Sequence, residues 1–193
     1  AIHIDYTIKL SDFSFNVDGG RCEECLGDGF KKVEMQFMAD IFLECDSCKG
    51  KRFKKKILDI KYNDKNIFEV LNLTIEESLS FFNNNNSVIK KLKPLNDVGL
   101  GYLKLGQPSS TLSGGEAQRL KLASCLADEN KKLFQKTLFI FDEPTSGLHY
   151  SDIANFMKSI QKLINIGNSV IIIEHNTDLI KQADWLIDLG PEG

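Results

Sequence analysis

Leu112-Ser113-Gly114-Gly115-Glu116-Ala117-Gln118-Arg119 and, further along, Thr137-Leu138-Phe139-Ile140-Phe141-Asp142-Glu143-Pro144 are the stretches on which the fold turns. The first reads as a helix start. Ser113 at the N-cap and Glu116 three residues later form a capping box. Two glycines keep the first turn bare, so its free N–H groups and dipole can approach an anion. The second stretch is an apolar strand that ends in two carboxylates and a proline stop. Around them the pattern predicts a helix from Ser113, a strand over Thr137–Phe141, a helix over Ser151–Ile164 and a strand over Ser169–Ile173. A helix near 177–183 and a strand over Trp185–Asp188 follow. Helices alternating with continuously apolar strands predict an α/β fold with a parallel-rich sheet covered on both faces. Ligands of such sheets bind at the carboxyl edge. Asp142 and Glu143 fall there, and so does His175 after the strand Ser169–Ile173.

Upstream, the chain reads as three further zones: residues 1–20, 21–61 and 62–112, ahead of 113–193. The first ends at Gly19-Gly20, and its FSFNV alternation predicts a short strand. The third carries a helix candidate, NIFEVLNLTIEESLSFF, and a polar loop over Asn83–Ser87.

The zone 21–61 holds Cys22-x2-Cys25-x19-Cys45-x2-Cys48, a spacing that reads as a structural zinc site. Two residues between thiolates let both reach one ion, and four protein ligands leave no open position for catalysis. One structural Zn²⁺ per chain is therefore expected. CEECLGDGF and CDSCKGKRF repeat C-x-x-C-x-G-x-x-F at an offset of 23 residues, each reading as one knuckle with glycine permitting the turn. Beside them, Lys49–Lys56 sets six cations in eight residues, with Lys31 and Lys32 across the loop. The run reads as a basic hairpin, and a lone one is usually a solvated, charged face. On a metal-fixed scaffold in an otherwise acidic chain, it points to phosphate-backbone contacts by Lys31, Lys32, Lys51, Arg52, Lys54 and Lys55. Phe37, Phe42 and Phe53 are read as the small core of this module rather than as base-stacking surfaces.

Composition narrows the classes further. The chain has 193 residues, 42% hydrophobic and 26% charged, which describes an ordinary globular protein. Its net charge of −3 excludes a globally basic nucleic-acid binder, so any such surface is local. No apolar run reaches the roughly 18 residues of a membrane span, and the N-terminus lacks the pattern of a secretory signal. Paired cysteines with an unpaired Cys125 and no such signal suit a reducing compartment, hence the cytoplasm, and a metal over disulfides.

The octet from Leu112 to Arg119 matches the signature motif of ABC-type ATPases. Ser146-Gly147-Leu148-His149 resembles the loop that follows their acidic strand, and His175 resembles their switch histidine. That resemblance implies ATP and Mg²⁺ as ligands. Ser113, Gly114, Gly115, Glu116 and Gln118 would face the nucleotide, and Asp142 would hold Mg²⁺, usually through water. Glu143 would polarise the attacking water, and His175 would sense the γ-phosphate. A phosphate loop G-x-x-x-x-G-K-[S/T] is missing, since Gly101-Tyr102-Leu103-Lys104-Leu105-Gly106 is followed by Gln107-Pro108. The chain alone is therefore expected to be a C-terminal part of a larger ATPase, and not to hydrolyse ATP.

A four-cysteine module set before such a signature resembles the UvrA family, the damage-recognition ATPases of bacterial nucleotide excision repair. The matching stretches are FSFNVDGGRCEECLGDGF, VEMQF, CDSCKGKRF, DVGLGYLKLGQPSSTLSGGEAQRLKLA, DEPTSGLH, IIIEHN and ADWLIDLGPEG, from Phe13 to Gly193. The resemblance implies an ATPase half carrying an inserted zinc module, acting on double-stranded DNA in the damage (SOS) response. It implies a dimer, UvrB-like excision partners, no membrane association, and a signature that completes an ATP site in trans. Residues 1–12 depart from the family pattern, which leaves a UvrA-like resistance or accessory ATPase as the alternative. A non-enzymatic zinc-binding interaction module would leave residues 110–176 without a role.

Overall fold

The structure, a computed structural model, describes residues 8–35, 40–127 and 136–190. The chain divides between Asn72 and Leu73 into two compact units.

In the first unit, strands β1 (Phe30–Val33) and β2 (Ile41–Glu44) form an antiparallel hairpin, with Phe30 opposite Glu44 and Val33 opposite Ile41. Helix α1 (Lys55–Leu58), a second small hairpin of β3 (Lys61–Tyr62) and β4 (Lys65–Asn66), and helix α2 (Ile67–Leu71) follow. α2 starts where Asn66 and Glu69 exchange side-chain-to-backbone bonds of 2.7 and 3.0 Å, satisfying two otherwise orphaned N–H groups. Besides the four cysteines, Phe53 and Ile57 are the buried apolar side chains among the described residues of this unit. So little apolar burial cannot hold a fold together unaided.

Three sequence expectations change here. FSFNV is no strand: a 3-10 turn over Leu10–Phe13 gives way to bends, and the Phe15 ring lies 4.0 Å from the Arg52 guanidinium. Its ring serves as a stacking surface for a cation, and no neighbouring strand among the described residues offers it a ladder. The basic run Lys49–Lys56 is a turn running into α1, while the hairpin of the module is β1–β2, bearing Lys31 and Lys32. Of the three phenylalanines, Phe53 is 2% exposed, Phe42 is 64% exposed on a fully exposed β2, and Phe37 lies outside the described residues.

The second unit opens with α3 (Ile75–Phe81), whose capping box pairs Thr74 and Glu77 at 2.8 and 3.1 Å. The helix candidate over 66–82 thus becomes two helices, α2 and α3, parted at Asn72–Thr74. Helix α4 (Asn86–Asp97) begins inside the expected asparagine loop, because the Asn85 side chain accepts the Val88 N–H at 3.3 Å. Helix α5 (Gly114–Ala127) turns Gly115, Arg119, Leu122 and Ala123 inward, one stripe at helical spacing.

Strand β5 (Leu138–Asp142), helix α6 (Tyr150–Asn165) and strand β6 (Ser169–Ile173) form a βαβ unit. The strands are parallel and in register, Leu138 against Ser169 and Asp142 against Ile173. α6 buries Ile153, Phe156, Ile160 and Leu163, and Phe156 meets Phe141 of β5 edge-on at 6.3 Å between ring centres. Leu100, Val98, Leu122 and Leu179 complete this core. Among the described residues the sheet is covered on one face only: Leu138, Ile140, Ile171 and Ile173 are 48–62% exposed, against the expectation of cover on both. The parallel sheet has two strands there, so the opposite apolar face has no layer upon it. Helix α7 (Thr177–Ile180) is shorter than expected, and Trp185–Asp188 is exposed chain without strand pairing. That segment pairs with neither open edge of the two-stranded β5–β6 sheet among the described residues. No helix among the described residues is long and apolar enough to cross a membrane.

Candidate metal centre and acidic sheet edge

Cys22, Cys25, Cys45 and Cys48 are all buried, and their sulfur atoms lie within 4.8 Å of one another. Cys22 and Cys45 are 3.9 Å apart and Cys25 and Cys48 3.6 Å. A tetrahedron of sulfurs about 2.3 Å from zinc has edges of about 3.8 Å, so the quartet is shaped for such an ion. A disulfide needs about 2.05 Å and is excluded by these distances.

The 23-residue repeat is a repeat of conformation. Left-handed backbone recurs at Leu26 and Lys49, at Gly27 and Gly50, and at Gly29 and Arg52. Each knuckle therefore turns in the same way after its second cysteine. In the first, the Gly29 N–H reaches the Cys25 sulfur at 3.2 Å, and Asp28 N–H reaches the Cys25 carbonyl at 2.9 Å. Burial works against the Cys22 thiolate, but main-chain N–H groups of Cys25 and Glu24 outweigh it and bring its pKa to about 7. Burial pushes the Cys48 thiol up to about 12. A metal able to take thiolates fits this donor set.

The cations expected to meet DNA are arranged unequally. Lys31 is paired with Glu24, Lys54 with Glu23, and Lys32 with Asp40 at 2.9 Å and Glu34 at 3.1 Å. Arg52 is half-buried and donates to the Gly27 carbonyl at 2.7 Å. Lys51 and Lys55 are exposed and carry no ion pair among the described residues. The two residues inside the first Cys-x-x-Cys, Glu23 and Glu24, thus hold two of the six cations.

In the second unit, the Ser113 N–H meets Glu116 at 2.7 Å and the Glu116 N–H meets Ser113 Oγ at 3.3 Å, the expected capping box. The Tyr102 hydroxyl and the Ser113 N–H together hold the Glu116 carboxyl below the usual range. Asp142, Glu143 and His175 all end at the carboxyl edge of β5–β6, exposed, with the Glu143 N–H extending the ladder to the Ile173 carbonyl at 2.9 Å. The start of α5 lies against this edge: a Cβ on Gly115 would sit 3.4 Å from the Glu143 carbonyl oxygen. Gln118 does not point outward. Its side-chain amide bonds both the N–H and the carbonyl of Asp142.

Two residues of this edge escaped the sequence reading. Arg119 is fully buried beneath the acidic turn. Glu174 has a side chain only 2% exposed and accepts from the Thr145 N–H and hydroxyl and from the N–H groups of His175 and Asn176. Its signal was a charge directly after a run of isoleucines, overshadowed by His175. Burial opposes the Glu174 charge, but these hydrogen bonds prevail and lower its pKa. The unfolded carboxyl takes its proton near 4.5 and the folded one at lower pH. The stabilisation is thus full above about 4.5 and lost as pH falls through the depressed value. Glu174→Gln should cost about 1–3 kcal/mol at neutral pH. Chemical denaturation across pH 3–7 should show a shallower acid loss in the variant; equal slopes would remove Glu174 from the account.

Fold and site define the class this far: an α/β protein with a parallel strand pair in its second unit and a buried four-cysteine cluster able to hold a metal in its first. No family model matches the chain. The individual likeness is to UvrABC system protein A. The chain is 58% identical to that of Clostridium tetani over 185 residues, 96% of this chain and 19% of the relative. It is 55% identical to that of Thermus thermophilus over 181 residues, 94% of this chain and 19% of the relative. The crystal structure of UvrA2 from Deinococcus radiodurans superposes with a TM-score of 0.80 at 42% identity, covering 94% of this chain and 22% of that one. In sequence and fold the chain is UvrA-like over nearly its whole length, and it spans about a fifth of the length of the relatives it matches.

Proposed function

We propose that this chain is the signature-bearing, zinc-binding part of a DNA-damage-recognition ATPase of nucleotide excision repair, working in the cytoplasm. It would act with a phosphate loop supplied from outside residues 1–193. The observation that carries this reading is the meeting of Asp142, Glu143 and His175 at one sheet edge, with the capped start of α5 packed against it. Gly114 and Gly115 offer their first-turn N–H groups and the helix dipole to the phosphates of ATP bound across a dimer interface, while the Ser113–Glu116 capping box holds that turn in shape. Asp142 would hold Mg²⁺, Glu143 would orient and polarise the attacking water, and His175 would meet the γ-phosphate. Gln118 supports Asp142 from within. Cys22, Cys25, Cys45 and Cys48 hold one structural Zn²⁺. Nucleotide-driven closure and reopening of the dimer changes the grip on double-stranded DNA and the loading of a UvrB-like partner.

Of the candidate DNA contacts, Lys51 and Lys55 are the ones ready to meet phosphate. Lys31, Lys32 and Lys54 must first leave their carboxylates. In a full-length protein carrying this segment, Lys51→Glu with Lys55→Glu should weaken DNA binding across all sequences. The slope of log affinity against log salt should fall by about 2, one for each lost contact. Zinc content should stay at one per chain, measured alongside. Unchanged affinity and slope would make the module a structural element that never touches DNA.

A further inference from the structure

The turn Asp142–Ser146 is gripped by three side chains. Gln118 of α5 donates its Nε2–H to the Asp142 carbonyl at 2.9 Å and accepts the Asp142 N–H at 3.0 Å. Arg119 donates through Nη1 to the carbonyls of Pro144 at 2.6 Å and Ser146 at 3.1 Å. Glu174, just past the end of β6, takes the Thr145 N–H at 3.0 Å. The turn closes on itself through the Ser146 N–H and the Glu143 carbonyl at 3.1 Å.

Packing alone does not account for this arrangement. Arg119 is 0% exposed, and its Nε and Nη2 have no hydrogen-bond partner among the described residues. A buried guanidinium left so incompletely satisfied is costly, and an apolar side chain of similar size would fill the space without that cost. The arginine adds a positive charge near Tyr102 and Glu116 and, through Nη1, its hold on two carbonyls of the acidic turn. Glu143 itself sits at φ +46°, a left-handed conformation that a glutamate keeps only where its surroundings over-determine it. The grips of Gln118, Arg119 and Glu174 supply that determination.

We propose that Gln118 and Arg119 are positioning residues for ATP hydrolysis, locking the signature helix to the acidic turn so that the Glu143 carboxylate is held in its working orientation. The proposal rests on the ATPase reading above. It adds a mechanical consequence: Ser113–Gly115 serve one nucleotide and Asp142–Glu143 another, and these two residues join both to one rigid piece. A shift of α5 at one nucleotide therefore moves the carboxylates at the other.

The test is steady-state ATP turnover by a full-length protein carrying this segment, in the variants Gln118→Met, Arg119→Met and Arg119→Lys, with Glu143→Gln as reference. Gln118→Met keeps length and volume and removes both bonds to Asp142. It should lower kcat about 10- to 100-fold while KM for ATP stays within about twofold and the thermal midpoint stays near the parent's. Arg119→Lys, which keeps a charged donor, should retain more turnover than Arg119→Met. Parental kcat in a folded Gln118→Met protein overturns the proposal. So does a fall in kcat that tracks lost thermal stability across the variants, since that marks ordinary packing. Full turnover in Glu143→Gln sinks the ATPase reading of that carboxylate itself, a different failure from either of these.

Discussion

Replacing Cys45 by serine is expected to strip the metal and unfold the first unit, while the second keeps its own unfolding transition. Cys45 is 0% exposed, and its sulfur stands 3.9 Å from that of Cys22. A serine hydroxyl is a hard, weak donor, reluctant to ionise, and cannot close a soft thiolate tetrahedron. Structural zinc contributes about 10–16 kcal/mol to small domains that cannot fold without it. This unit has the scant core of such a domain: Phe53 and Ile57 are its buried apolar side chains beyond the cysteines among the described residues. The second unit rests on Phe141, Phe156, Leu122 and their neighbours and has no part in the quartet. Zinc released per chain and calorimetry with and without chelator would check this. One zinc retained by the variant, or a single cooperative loss of the whole chain, would show that the division at Asn72 is not an energetic one.

Glu143→Gln, in a full-length protein carrying this segment, should leave ATP binding nearly intact and cut turnover by about 10²–10⁴-fold, the range for loss of a positioned general base. The substitution is isosteric and asks no more of the left-handed backbone than glutamate does, so the turn at Asp142–Ser146 should persist. Glutamine can still touch the water but cannot draw its proton. Single-turnover hydrolysis alongside equilibrium nucleotide binding separates the two effects. A variant that hydrolyses at the parental rate would place the base elsewhere. A variant that no longer binds ATP would mean that residue 143 serves binding rather than chemistry.

The metal centre was legible because its chemistry fixes spacing. Two Cys-x-x-Cys pairs read the same before and after folding, and the knuckle turns follow from the glycines at 27 and 50. The βαβ unit was legible from the apolar runs at 138–142 and 169–173, and the start of α5 from Ser113 and Glu116. What failed did so where one segment's state depends on another. FSFNV has strand alternation but no strand beside it, and Phe15 serves Arg52 instead. Trp185–Asp188 has strand composition but pairs with no strand among the described residues. Phe42 alternates like a core residue on a hairpin with neither face buried. Cations counted along the chain gave no sign that Glu23 and Glu24 hold Lys54 and Lys31. Arg119 and Glu174 went unread because a charged residue in a pattern signals the surface. Only the fold reveals carbonyls and N–H groups waiting for them.

The backbone at residue 143 has a consequence for how such a protein would change over generations. A left-handed site costs a glutamate about 1–2 kcal/mol that a glycine avoids. Heat tolerance alone therefore favours losing the side chain on which turnover is proposed to depend. Lineages or laboratory screens selected only for thermal robustness would drift toward glycine at this position and emerge sturdier and catalytically silent.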